Sequence, residues 1–163
     1  MQNAYVVKIF ELIGSFFMIP IISLYFGTIF SVFISSQKVP EKPLRCEGGL
    51  GMESGEITDD QISASSRAQA ITPAKVARLN RRDGTENLQG AWVAGHQDVY
   101  QWLQIDLKVP HTGVTRVATQ GRNGNSQWVT KYKLQYSNDE VNFQYYREQG
   151  QTTNKVIWSF GPF

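Results

Sequence analysis

The clearest alternation of apolar and polar residues in this chain runs from Trp102 to Leu107, where Leu103, Ile105 and Leu107 interleave with Trp102, Gln104 and Asp106. Successive side chains of a strand point to opposite faces, so the spacing predicts a strand with one face in a core. Lys108, Pro110 and Gly113 break the pattern, and the Val/Thr-rich run Val114–Thr119 predicts a second strand. Gly121 ends that run and opens a polar loop from Arg122 to Gln127. A third alternating strand is predicted from Trp128 to Ser137, with Tyr132, Leu134 and Tyr136 on one face and Lys131, Lys133 and Gln135 on the other. Ser137-Asn138-Asp139 reads as a turn, after which Val141 to Tyr146 continues the sheet. Trp92, beyond Leu88–Gly90, reads as a core aromatic. Trp128 flanks the polar loop but starts a strand, which favours packing over a stacking platform.

The N-terminus has another texture. From Leu12 to Gln37 there is no charged residue, and Phe, Ile, Leu, Val and Tyr dominate. A run of that length predicts a membrane-directed hydrophobic helix. Two readings stay open: a signal peptide over residues 1–36, cleaved at the small residues Ser35-Ser36, or a signal anchor long enough to span a bilayer at about 1.5 Å per residue. Lys38, Lys42 and Arg45 follow the run, and the positive-inside tendency would leave the far side of a retained anchor in the cytoplasm. Residues 37–45, with Pro40 and Pro43 among these cations, read as a short linker.

Charge then narrows the partners. Setting aside Lys8, Lys38, Lys42 and Arg45 from the 16 basic residues, and Glu11 and Glu41 from the 14 acidic ones, leaves residues 46–163 formally neutral. Phosphate attraction supplies most non-specific nucleic-acid affinity, so a nucleic-acid partner is not expected. Arg78, Arg81 and Arg82 cluster, but Asp83 and Glu86 dilute them. Nor is catalysis indicated. His96 and His111 are the only histidines, without triad or metal spacing, and neither a Gly-x-Ser-x-Gly nor a His-Glu-x-x-His motif occurs. Asp59-Asp60 and Asp139-Glu140 are adjacent at turn-like places, which does not make an acid/base dyad. No run of oxygen ligands marks a calcium site, and no cofactor motif appears. The glycines between Gly48 and Gly55 follow no strand and read as a flexible opening segment rather than a phosphate loop.

Several of these stretches, in order, resemble one family. Leu50-Gly51-Met52-Glu53-Ser54-Gly55-Glu56-Ile57, Asp60-Gln61-Ile62-Ser63-Ala64-Ser65-Ser66, Trp102-Leu103-Gln104-Ile105-Asp106-Leu107, Thr119-Gln120-Gly121-Arg122 and Trp128-Val129-Thr130-Lys131-Tyr132 together resemble the discoidin domain, the C-terminal module of coagulation factors V and VIII. Ala77-Arg78-Leu79-Asn80-Arg81-Arg82-Asp83-Gly84 and Gly90-Ala91-Trp92 look most like the contactin-associated/neurexin-IV group. The resemblance covers Cys46 to Val156 and implies an all-β, galactose-binding-like jelly-roll β-sandwich that is incomplete at its C-terminus. Residues 157–163 then form a tail unlike the family. In the family, cysteines bridge the two termini. Cys46 sits where the first belongs, and no second cysteine exists in the chain.

The same resemblance implies function. Discoidin domains bind ligands through loops at one end of the sandwich, here 67–72, 80–87 and 122–127. The candidate ligand-binding residues are Arg67, Gln69, Ile71, Arg81, Arg122, Asn123, Asn125 and Gln127. Guanidinium and amide groups suit hydrogen bonding to a glycan or a polar protein surface. The expected role is therefore a non-catalytic adhesion or recognition module, secreted or at the extracellular face of the plasma membrane. The alternative is a peripheral phospholipid binder, which the family builds by placing large apolar side chains at its loop tips; here the first loop offers only Ile71.

Overall fold

The computed structural model describes residues 3–4, 6–11, 22–26, 48–109, 112–123 and 125–159. Cys46, His111 and the linker lie outside these residues, as does the charge-free run except for Ile22–Phe26. So the expected N-terminal hydrophobic helix and the leader-or-anchor alternatives fall largely outside them as well. What is described there is strand: β1 (Asn3–Ala4), β2 (Val6–Glu11) and β3 (Ile22–Phe26). Among the described residues no helix is long and apolar enough to cross a membrane.

Seven more strands follow: β4 (Gly48–Gly49), β5 (Ile62–Ala64), β6 (Trp102–Asp106), β7 (Thr112–Thr119), β8 (Lys131–Ser137), β9 (Gln144–Tyr145) and β10 (Val156–Trp158). They form two antiparallel sheets. One has the order β10-β8-β2-β6-β5, with β9 also on β8; the other runs β1-β7-β3-β4. Helical structure among the described residues is limited to single 3₁₀ turns at Asp59–Gln61, Ala74–Val76 and Thr85–Asn87.

The alternation read from the sequence decides which faces meet. Leu103, Ile105 and Leu107 are buried beneath β6, and Tyr132 is buried on β8 with Leu134 and Tyr136 packed partly against the same cluster. Val114 and Val117 reach that cluster from β7, so both sheets share one core. Trp92 is fully buried at its side, and its indole Nε1 donates to the Ser66 carbonyl at 2.7 Å, satisfying the polar atom that burial would otherwise strand. Three local readings change. The opening glycine segment is not a loose leader to the domain: Gly51 O accepts from Gly55 N and Ile57 N, and Met52 is a core residue. Gly51, at φ +105°, closes that turn where a Cβ would lie 2.4 Å from Glu56 Cβ. The third strand begins at Lys131 rather than Trp128, which is half-buried. Of the expected continuation from Val141 to Tyr146 only Gln144–Tyr145 is strand, because Asp139 accepts from the backbone N–H groups of Val141 and Asn142 and holds the chain in a turn.

Candidate functional site

Antiparallel pairing of β5 with β6 sets Ala64 opposite Leu103, so the segment leaving β5 and the segment entering β6 emerge at the same end. Gln101 joins them, its amide oxygen accepting from the hydroxyls of Ser65 (2.9 Å) and Ser66. Beyond that anchor the first loop, 67–72, is closed by its own Thr72. This buried hydroxyl donates to Gln69 O and accepts from Gln69 N. Two backbone bonds fix the loop to the segment beside it, Ala68 N to Val93 O at 2.8 Å and Gln89 N to Ile71 O at 2.9 Å. Arg67 and Gln69 are exposed at its surface, and Ile71 is 38% exposed.

The second loop, 80–87, packs backbone against backbone with Gly90. A Cβ on Gly90 would lie 2.8 Å from Arg81 O and 3.0 Å from Asp83 N, so only glycine permits the approach. Gly90 N donates to the Asp83 carboxylate at 2.6 Å. Asp83 in turn receives the guanidinium of Arg122 from the third loop: Nε lies 3.1 and 3.0 Å from the two carboxylate oxygens, and a terminal nitrogen completes a forked ion pair. The other terminal nitrogen donates to Gln127 Oε1 at 3.1 Å, and Arg122 N donates to Gln127 O at 2.9 Å, which closes the third loop on itself. Asn125 reaches the same carboxylate at 3.5 Å. The Arg122 bonds hold the Asp83 carboxyl below the usual carboxylate range against the opposing effect of burial; the Gly90 N–H and the charge of Arg122 add to the lowering.

The three loops expected from the resemblance are thus brought together, through the chain of contacts 71–89, 83–90 and 83–122. Their residues divide into two groups. Arg67, Gln69, Asn123 and Asn125 are exposed. Arg122 and Gln127 are occupied in the clamp, and the Arg122 side chain is only 11% exposed. Arg81 is also turned inward: one guanidinium nitrogen donates to Thr85 O and Glu86 Oε2, while its buried Nε has no partner among the described residues. Asn80, Glu86 and Asn87 all adopt positive φ (59°, 57° and 58°), so the second loop carries several left-handed residues held by these bonds.

Two residues at this end were not singled out from the sequence. The loop before β6 packs Gly95 against Arg67 O and exposes Val99 (40%) and Tyr100 (76%). Tyr100 stood in the sequence just before the alternating strand; nothing in its spacing separated a loop-tip aromatic from a strand residue. Among the described residues no group of three or more His, Cys, Asp or Glu is placed to hold a metal ion.

Comparison with known proteins points to one family. The family described as the F5/8 type C domain matches residues 61–163. Human EGF-like repeat and discoidin I-like domain-containing protein 3 is 44% identical over 121 residues, covering 69% of this chain and 24% of that protein. Mouse retinoschisin is 42% identical over 126 residues, covering 74% of this chain and 53% of its own length, and human retinoschisin is 41% identical over 126 residues. The chain therefore spans about half of the retinoschisins and about a quarter of the EGF-repeat protein. No solved structure matches it.

Proposed function

The chain belongs to the F5/8 type C (discoidin) domain family, and from that premise we propose that it is a non-catalytic recognition module, acting outside the cell, that binds a glycan or polar protein surface through its three clamped loops. The observation that carries this reading is the Asp83–Arg122 fork, which ties the second loop to the third and leaves Arg67, Gln69, Asn123 and Asn125 exposed beside one another's loops. Loops already held in place lose little conformational entropy on binding, which favours recognition by a few hydrogen bonds. Arg67 supplies the charge-assisted contact, the amides supply the neutral ones, and Arg122, Gln127 and Arg81 hold the loops that present them. The scaffold is the discoidin-type jelly roll, and no step of chemistry is required of it.

A second reading has its own observation. Ile71, Val99 and Tyr100 are exposed at the same end, an apolar set that suits insertion into a phospholipid surface. One experiment separates the two. The full chain and its Arg67→Ala and Tyr100→Ala variants are applied to an array of immobilised extracellular glycans and, in parallel, to phosphatidylserine vesicles. The polar reading expects saturable array binding that weakens about 5- to 150-fold in Arg67→Ala, from about 1–3 kcal/mol for a lost charge-assisted bond. Vesicle binding that survives Arg67→Ala and is lost in Tyr100→Ala would establish the lipid reading instead.

A further inference from the structure

Strand β8 carries lysines on the face that turns away from the core, and aromatic rings of its neighbours stand beside them. β9 and β10 both pair with β8, and the registers set Trp158 opposite Lys131, Val156 opposite Lys133 and Tyr145 opposite Gln135. Residues paired across antiparallel strands share a face, so these residues lie on the side of the sheet opposite the buried Tyr132. The Lys131 ammonium stands 4.1 Å from the centroid of the Trp158 ring, and the Lys133 ammonium 5.6 Å from that of Tyr145. Both distances are within the range in which a ring's electron-rich face attracts a cation. From Lys131 to Gln135 the strip runs about 13 Å at the rise of a strand. Trp158 is 56% exposed, so a large part of its indole stays open beside the lysine that it holds.

Charge says what suits this strip. Lys75, Lys108 and Lys155 are each paired with a carboxylate, those of Asp59, Asp60 and Glu148. Lys131 and Lys133 have no carboxylate partner among the described residues; the rings, not an anion, hold their ammoniums in place. The strip is therefore locally positive on a domain that is formally neutral, and its cations are placed before any ligand arrives. An indole offers its face to the C–H side of a pyranose ring, and an ammonium beside it takes an acidic substituent. Two cations are too few for a phosphate-dense nucleic acid. We infer that the strip Trp158, Lys131, Lys133 and Tyr145 is a second recognition surface, for an acidic glycan strand whose sulfate or carboxylate groups meet the two ammoniums while a sugar ring stacks on Trp158. It is read from residues outside the three loops, so it stands whatever those loops bind.

The test uses the full chain and a heparin oligosaccharide, which carries both sulfate and carboxylate groups. Saturable binding is expected, weakened about tenfold or more when both charges are removed in Lys131→Gln/Lys133→Gln. Trp158→Ala should weaken it as well. Trp158→Phe, which keeps an aromatic face and guards against misreading a damaged β10, should retain most of it. Arg67→Ala, at the loop end, should leave it unchanged. Loss of binding to the desulfated oligosaccharide would identify sulfate as the partner of the lysines, and its persistence would identify the carboxylates; either outcome supports the strip. Absence of heparin binding would overturn the proposal, as would binding untouched by the double lysine variant or lost in Arg67→Ala alone. Equal competition by a single-stranded oligonucleotide would also overturn it, since general polyanion attraction would then suffice.

Discussion

Arg122→Ala should loosen the whole loop end, because it opens the only fork that joins the second and third loops among the described bonds. Fully buried ion pairs cost about 3–5 kcal/mol when one partner is removed, and exposed pairs contribute about 0–1 kcal/mol. This pair lies between those limits: the Arg122 side chain is 11% exposed and that of Asp83 34%. With water able to reach part of the carboxylate, a loss of about 1.5–2 kcal/mol is expected. Asp83→Ala should cost more, about 2.5–4 kcal/mol, since it also orphans the N–H of the buried Gly90. Urea unfolding of the two single variants and the double variant gives the coupling directly, expected at about 1–2 kcal/mol. At a urea slope of about 1–3 kcal/mol/M, Arg122→Ala moves the midpoint down by roughly 0.5–2 M. The pH dependence has a fixed sign. The folded Asp83 carboxyl sits below its unfolded range, so its contribution is fully present above about pH 4 and is lost as pH falls through the lowered folded value. Wild type should therefore lose more stability on acidification than Asp83→Ala. A coupling below about 0.3 kcal/mol, with equal acid sensitivity in the two, would refute the clamp.

Gly90→Ala places a methyl 2.8 Å from Arg81 O against unyielding backbone, and it should destabilise by about 1–3 kcal/mol, with faster amide exchange concentrated in 80–87. Leu103→Ala, at a fully buried site shared by both sheets, should cost about 2–5 kcal/mol in chemical unfolding. The Asp139 carboxyl is held low chiefly by the Asn142 N–H, then by the Asn142 side chain, Ser137 and the Val141 N–H. Its turn should hold above the ordinary carboxylate range and open only in strong acid, and an NMR titration of the Val141 and Asn142 amides follows that directly.

Strand content was legible where one face is buried and the other wet. The alternation at Leu103, Ile105 and Leu107 needed no partner to be recognised, because burial acts on each side chain separately. The place of Val6–Glu11 was not legible. Its pattern is short, it abuts a long apolar run, and insertion between β6 and β8 is a long-range pairing that local spacing does not encode. The three loop segments were expected from the resemblance, but which of their side chains are tied down and which are exposed was not legible. Arg122 and Arg67 look alike in a sequence. What separates them is Asp83, 39 residues from Arg122 in the chain, whose carboxylate takes the Arg122 guanidinium while Arg67 stays exposed. Val99 and Tyr100 were missed for the reverse reason: exposure of an apolar residue is a property of the fold, and their composition pointed towards a strand.

Recognition at the clamped loop end, as proposed, leaves an exchange footprint there. Amide hydrogen exchange of the full chain is compared with and without the immobilised-array glycan that it retains most tightly, supplied in soluble form. Slowed exchange confined to 67–72, 80–87 and 122–127 is expected, with β6 and β8 unchanged and with the effect absent in Arg67→Ala. Slowing confined to the sheet faces or to β9 and β10, with the three loops unaffected, would contradict it.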